Sequence, residues 1–492
     1  TKRARDRCGG LFRAKDVYSM AHFPEKQSIS FFGLVAMGIG CMLGTSWLLL
    51  TGTWLETAGG PLNLIVAFAL CIIIELPFAF AYMEAIPMLP LAGGEVVYSA
   101  AAFGSRGGFV VGWAGVLMNA IVFCWVDLAA LSLLDELFPA LGRTCFLYAV
   151  GGYSVTLPNV VVQLVLAGAI LYIQYRGASV CAALAKIATV TLLVMCIAGL
   201  AAAFVHFDPA IYASDGGLDF DLSGSLSLLS LLVFSVAGWE TVAKAAADAT
   251  GKAARKAGWA LIVCLFLVTS MLCLVSTAVA GNLPWREAIG RTAPFADVLV
   301  DITGVPAVRL LFLVTAFVGA VGVMNSTLYS AARMMYGLAQ FDLVSRWFDR
   351  LHPKYGTPTR CIWFTASFVL LAPFTGKLFF LPLINIASLA TIVMWVMTLA
   401  AVLWLRKKYP DLHRPVYMPG GRPMAAFGIA ASLFLCANIL LPFFPGALGT
   451  LEYGVAAVLA VVGALLYHRR DRTVTDALRA SSMFGGLLTR KP

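Results

Sequence analysis

Small polar residues interrupt an apolar run near the start of the chain. Gly38-Ile39-Gly40-Cys41-Met42-Leu43-Gly44-Thr45-Ser46 sits inside a hydrophobic segment covering about residues 30–55. Crossing a bilayer as a helix takes roughly 20 apolar residues, so this segment is long enough to span. Glycine and serine at its centre weaken a helix through backbone entropy and competing hydrogen bonds. A helix interrupted within lipid leaves N–H and C=O groups that hydrocarbon cannot satisfy, so they must face protein or a watery cavity. The chemistry open to such a break is recognition of a small charged ligand by bare peptide groups. A half-helix N terminus offers unpaired N–H groups and a partial positive charge, which suit a carboxylate. Gly40 and Gly44 let a ligand approach the backbone beside Cys41, and the Thr45 and Ser46 hydroxyls add donors. The same Gly40-x-x-x-Gly44 spacing also reads as a helix-packing motif.

A second run carries a matching interruption: Phe234-Ser235-Val236-Ala237-Gly238-Trp239-Glu240. Here the carbonyls ending the first half-helix can accept an ammonium. Trp239 reads equally as a packing or interface residue, and Glu240 either holds the broken backbone or couples to protons. Three further ionisable residues fall inside apolar segments, where charge is costly and marks function or a buried partner. Lys186 lies about eight residues into its span, a depth of ~12 Å; it needs a partner, loses its proton, or snorkels to the interface. Glu75 either anchors the broken helices or carries a proton. Asp127 is either a ligand for a cationic substrate or an acid of the outer vestibule.

The elements that must position these residues are spanning helices. The chain of 492 residues is 60% hydrophobic and 12% charged, with mean hydropathy +0.87, against about 25% charge in a soluble domain. Twelve apolar segments are legible, near 30–55, 61–87, 107–134, 157–175, 178–204, 224–247, 257–281, 306–335, 361–377, 380–405, 424–441 and 450–467. With the N terminus placed inside, five Lys/Arg of the 35 fall in outside loops (Arg143, Arg286, Arg291, Arg309, Lys377), Lys186 falls within a span, and the rest fall inside. That asymmetry predicts cytoplasmic termini and accounts for the net charge of +10 without a nucleic-acid partner. The first span is expected to serve as the insertion signal, with no cleaved peptide before it. The 11 cysteines are scattered, mostly within apolar segments, so a disulfide framework is not expected. The five histidines lie in loops or at a helix end, which argues against an intramembrane haem or His-ligated metal; no cofactor is expected.

The two interrupted segments, first and sixth, each open a set of five spans, as an inverted repeat requires. An inside stretch, Ala92-Gly93-Gly94-Glu95-Val96-Val97-Tyr98-Ser99, follows the second span. An outside stretch over 283–304, with short helices expected from Pro284 and Pro294, follows the seventh.

Several ordered motifs resemble the amino acid–polyamine–organocation (APC) family of transporters, over about 28–419. They are Gly44-Thr45-Ser46-Trp47-Leu48 with Ala58-Gly59-Gly60-Pro61, then Tyr82-Met83-Glu84, Pro90, Gly93-Gly94, Tyr98, Phe103-Gly104 and Gly112-Trp113. Further on come Phe234 to Glu240, Ser330-Ala331-Ala332-Arg333-Met334-Met335-Tyr336 and Pro410-Asp411-Leu412-His413-Arg414-Pro415. Ser46 replaces a family glycine, Trp47 is bulkier than usual, and Ala249-Thr250-Gly251-Lys252 replaces the usual end of the sixth span. The resemblance implies an all-α polytopic protein of 12 transmembrane helices: a LeuT-type 5+5 inverted repeat plus two extra helices, with helices 1 and 6 broken. The corresponding divisions are a tail 1–28, repeats 29–205 and 206–405, a loop with helices 11–12 over 406–468, and a tail 469–492. It implies amino acid transport by alternating access, with substrate held by Gly40, Cys41, Gly44, Thr45, Ser46, Phe234, Ala237, Gly238 and Trp239. Phe234 would close over the substrate. Lys186 would stand where sodium-coupled relatives bind a cation, with Glu75 and Glu240 as further ion-coupling groups, so protons rather than sodium would drive the cycle. An exchanger of cationic amino acids or polyamines, and an amino acid sensor without transport, are the alternatives. An integral-membrane enzyme would want polar residues clustered at one membrane face, and none is legible. The expected setting is the plasma (cell inner) membrane.

Overall fold

The computed structural model describes residues 29–469 except Pro90, Ala92, 139–143, 151–152, Thr250, 375–379 and 442–447. Within its elements the side chains of Tyr153, Ser230, Phe234, Gly251, Lys252, Ala254, Phe380, Leu381 and Pro382 lie outside the described set. Both tails, Arg143 and Lys377 fall outside it as well.

Long apolar stretches become long helices because a helix satisfies every backbone group internally. In chain order the helices are α1 (Phe31–Met42), α2 (Ser46–Leu49), α3 (Thr51–Ala58), α4 (Pro61–Met88), α5 (Glu95–Leu137), α6 (Leu157–Arg176), α7 (Ala178–Val205), α8 (Pro209–Ala213) and α9 (Leu222–Val236). They continue as α10 (Thr241–Ala245), α11 (Gly251–Ala280), α12 (Trp285–Ala288), α13 (Pro294–Thr303), α14 (Ala307–Gln340), α15 (Thr359–Val369), α16 (Phe380–Lys408), α17 (Gly421–Leu440) and α18 (Thr450–His468). Ten helical stretches among the described residues are long and apolar enough to cross a membrane; α9 and the Thr359–Phe374 stretch are apolar but shorter. The protein is therefore an all-helical, multi-pass membrane protein in its spanning part. One departure from an all-α chain is a β-hairpin, β1 (Phe146–Val150) antiparallel to β2 (Tyr153–Thr156), between α5 and α6. Its aromatic and β-branched alternation is a strand signal that a search for long apolar runs passes over.

Burial grades from the centre outward. The α1–α2 stretch is 89% buried and α18 only 6%. On α7, Ala185, Ala188, Leu192 and Cys196 are buried while Ile187, Val194 and Ile197 stand exposed, an apolar outer face suited to lipid. Helix α5 bends at Gly104, where φ is +74° and ψ −164°. The segment before the bend, from Glu95, thus forms a short helix of its own beneath the long one. The stretch after α11 forms α12 and α13, beginning at Trp285 and Pro294.

Candidate substrate site

Ser30 starts α1 by accepting the Gly33 N–H at 3.1 Å. The helix ends at Met42; Leu43 departs to φ −93°, ψ 77°, and helical geometry resumes at Ser46. The bend is held by the Trp47 indole N–H, which donates to the Gly44 carbonyl at 2.9 Å, and by Thr51 Oγ1 donating to the Trp47 carbonyl at 3.0 Å. On the other side Asp221 caps α9 by accepting the Ser223 and Gly224 amides at 2.9 and 3.1 Å. That helix stops at Val236; Ala237 is extended, and α10 begins at Thr241. Between them Gly238 sits at φ +121°, a conformation that L side chains rarely adopt, and a Cβ there would lie 3.1 Å from Cys41 Sγ. The two interruptions therefore meet, backbone against backbone.

Beside that meeting point lies a small cavity. It is lined by Cys41, Met42, Gly44, Thr45, Ser46 and Leu50 from the first interruption, and by Ser235 and Ala237 from the second. Met118, Val122, Trp125 and Val126 of α5 and Val323 of α14 complete the wall. Thr45 Oγ1 is buried and has no hydrogen-bond partner among the described residues. The first residues after the α1 interruption carry free N–H groups, and the last carbonyls of α9 are equally unpaired by the helix itself. Such an arrangement can take a carboxylate at one end and an ammonium at the other, with an apolar wall for whatever lies between.

Five of the nine expected substrate residues thus line the cavity: Cys41, Gly44, Thr45, Ser46 and Ala237. Gly40 lies just over a helical turn before Gly44, where a Cβ would come 3.4 Å from Ser326 Oγ; its role here is packing against α14. Gly238 supports the site through the backbone contact with Cys41. The Phe234 side chain lies outside the described residues. Trp239 is placed away from the cavity: it stacks on Trp395 (5.2 Å, 22°), meets Tyr82 edge-on (5.1 Å, 84°) and donates to Glu75 Oε2 at 2.8 Å. The wall from α5 escaped the sequence reading because Met118, Val122 and Trp125 are apolar residues at ordinary helical spacing, and nothing in that pattern tells a cavity wall from a core face.

Charges are sorted differently from the sequence expectation. Lys186 is half-buried, has no ion-pair partner among the described residues, and lies against the first turn of α1, its Cε 3.4 Å from where a Gly33 Cβ would stand. Lys244 and Arg333, counted with the inside charges from sequence, are instead buried within the bundle. Lys244 Nζ is 2.9 Å from Glu95 Oε1 and 3.7 Å from Glu240 Oε1. The sequence signal was available: Glu240 and Lys244 are four apart in an apolar run, a helical ion-pair spacing. Asp127 is fully buried and does not line the cavity; neither carboxylate oxygen has a hydrogen bond of good geometry among the described residues.

Below the cavity, Arg333 Nη2 lies 2.9 Å from Asp248 Oδ2, which also accepts the Tyr329 hydroxyl. Ile29 N–H donates to the Asp248 carbonyl at 2.9 Å, so the chain entering α1 is pinned to the chain leaving α10. Nearby, Glu84 is fully buried and accepts from Arg406 and from the Met418 N–H. Arg414 donates to the carbonyls of Leu405, Tyr409, Pro410 and Leu412, and so caps the end of α16. Arg414→Ala should lower the stability of the purified protein by about 2–4 kcal/mol, because several buried carbonyls lose charged donors at once. Thermal unfolding in detergent measures this, and a transition matching that of the parent would count against the capping role.

Comparison with known proteins agrees with this architecture. The amino acid permease family model matches residues 29–466. The chain belongs to that family. The permease is 27% identical to a branched-chain amino acid permease of Bacillus subtilis, over 94% of this chain and 98% of the relative. It is 24% identical to a methylthioribose transporter of the same organism, covering 83% and 88%, and 23% identical to its aspartate-proton symporter, covering 80% and 76%. The motifs that resembled the APC family thus lie within a family match that covers nearly the whole chain, and the permease is a membrane transporter.

Proposed function

We propose that the permease moves neutral aliphatic amino acids across the plasma membrane by alternating access, with proton coupling. Substrate binds in the cavity between the two helix interruptions, its carboxylate toward the backbone after Leu43 and its ammonium toward the α9 carbonyls. The spans form a LeuT-type pair of inverted five-helix repeats, 29–205 and 206–405, with α17 and α18 added and both termini in the cytoplasm. The observation that carries this reading is the cavity at the point where Cys41 and Gly238 meet. Its side walls, Met42, Leu50, Met118, Val122, Val126 and Val323, favour an aliphatic side chain. The branched-chain permease among the relatives supports the same class. A cationic substrate would want an acid at the wall, and Glu75, Asp127 and Glu240 do not line it. Proton coupling is supported by the aspartate-proton symporter among the relatives and by Lys186, a basic side chain beside the start of α1 without an acid partner among the described residues.

Uptake of labelled L-isoleucine into proteoliposomes tests the proposal. Uptake should be driven by an inward proton gradient with sodium omitted, and excess unlabelled L-valine should reduce it by more than tenfold. Failure of L-isoleucine to accumulate, with L-lysine accumulating instead, would overturn the substrate class; an absolute need for sodium would overturn the coupling.

A further inference from the structure

Glu95, Glu240 and Lys244 form an ion cluster behind the cavity, with all three side chains 0% exposed. Two separate elements bring it together. Glu95 opens α5, immediately after Gly94, and Gly94 lies in contact range of the Ala243–Lys244 backbone, a Cβ there standing 3.5 Å from the Lys244 amide nitrogen. Glu240 and Lys244 stand one turn apart at the start of α10. Tyr82 donates its hydroxyl to Glu95 Oε1 at 3.0 Å, and Glu240 Oε2 accepts the Gly238 N–H at 2.9 Å. Glu95 Oε2 and Glu240 Oε1 are left without a hydrogen-bond partner among the described residues.

The cluster is one positive charge short of neutral: two carboxylates face one ammonium. Among the described residues, the other titratable groups around it supply no further cation. They are Cys41 from α1, Glu75 and Tyr82 from α4 and Tyr98 from α5. An uncompensated charge in so dry a place is costly, so the site calls for one more monovalent cation. A metal ion would need a shell of oxygen ligands, and two open carboxylate oxygens do not make one; a proton needs only one of them.

We infer that the proton that accompanies substrate binds in this triad, on Glu95. The inference rests on the proton-coupled transport proposed above and places its proton at a residue other than Lys186. A proton from the outer side adds to the Glu95 carboxylate, and the Lys244 ammonium shifts its ion pair to Glu240 alone. Loss of the proton to the inner side restores the first arrangement, and no covalent bond in the substrate changes. Because Glu240 also holds the Gly238 N–H, the shift acts on the backbone that touches Cys41, and through it on the cavity wall. Charge at Glu95 and geometry at the substrate site are linked by one side chain.

The test follows internal acidification of proteoliposomes with a trapped pH-sensitive dye while L-isoleucine enters. In the parent permease each pulse of L-isoleucine should acidify the interior. In Glu95→Gln the protons moved per L-isoleucine should fall at least tenfold, and the pH dependence of L-isoleucine uptake should flatten. Glu95→Gln leaves Lys244 and Glu240 as a neutral pair, and Glu95→Ala provides a second arrangement of the same charge if the first variant fails to fold. A parental proton ratio in either folded variant would overturn the placement. So would loss of the ratio in Lys186→Met with retention in Glu95→Gln. A parent that takes up L-isoleucine without moving protons would instead overturn proton coupling itself, and the placement with it.

Discussion

Replacing Lys244 by methionine should destabilise the purified permease by about 3–5 kcal/mol, the cost of removing one partner from a buried ion cluster. Glu95 and Glu240 would face each other with no ammonium between them, in a place water does not reach. The loss is expected to come from the stranded acids more than from the missing attraction. Removing an acid as well should therefore recover part of the stability. Lys244→Met combined with Glu95→Gln should be more stable than Lys244→Met alone by about 1–3 kcal/mol, a coupling of the size seen between residues in direct contact. Thermal or chemical unfolding of the four proteins of the cycle in one detergent gives the number. Strict additivity would mean that the two side chains do not interact in the folded state.

The second large effect is expected at Gly238. Its φ of +121° is strained for any residue with a Cβ, and the Cβ itself would stand 3.1 Å from both the carbonyl carbon and the Sγ of Cys41. Valine adds two more carbons at that contact. Gly238→Val should therefore force the two interruptions apart and cost about 1–3 kcal/mol from the backbone alone. Uptake should suffer more than stability does, because a binding geometry displaced by about 1 Å can cost on the order of a hundredfold. L-isoleucine uptake is expected to fall at least a hundredfold. Gly454→Val is the matching control: it lies on peripheral α18, has no neighbour within 4 Å of a new Cβ, and should leave uptake within about twofold of the parent. Uptake by Gly238→Val at the level of that control would remove the contact from the mechanism.

Ile29, Asp248, Tyr329 and Arg333 tie the segment entering α1 to the segment leaving α10 and to α14. There, charge and backbone pairing act on the same segments. The segment entering α1 and the segment leaving α10 are also those whose other ends border the cavity.

Much of this was readable from the chain. Apolar length and scarcity of charge fix a multi-pass helical membrane protein, since lipid leaves the backbone no other way to satisfy itself. The run from Gly38 to Ser46 could be marked as a ligand site because glycine and serine at the centre of a span are expensive unless something uses the exposed backbone. Cys41, Gly44, Thr45, Ser46 and Ala237 do line the cavity. The local motif around Arg414 was visible too, although only the fold shows that its guanidinium caps α16.

What the chain could not reveal is which neighbours each residue finds across the bundle. Trp239 lies within the interruption in sequence, yet its side chain packs on Glu75 and Trp395, and the non-helical backbone at Ala237 and Gly238 carries no periodicity from which that direction could be read. Lys244 looks like one more basic residue near an inner loop until Glu95, almost 150 positions earlier, is folded onto it. The cavity wall from α5 is ordinary apolar helix until α1, α9 and α14 leave a gap beside it. Composition and periodicity report how a segment meets lipid and its own backbone; which face meets a partner depends on contacts between segments far apart in the chain, and only the packed bundle decides those.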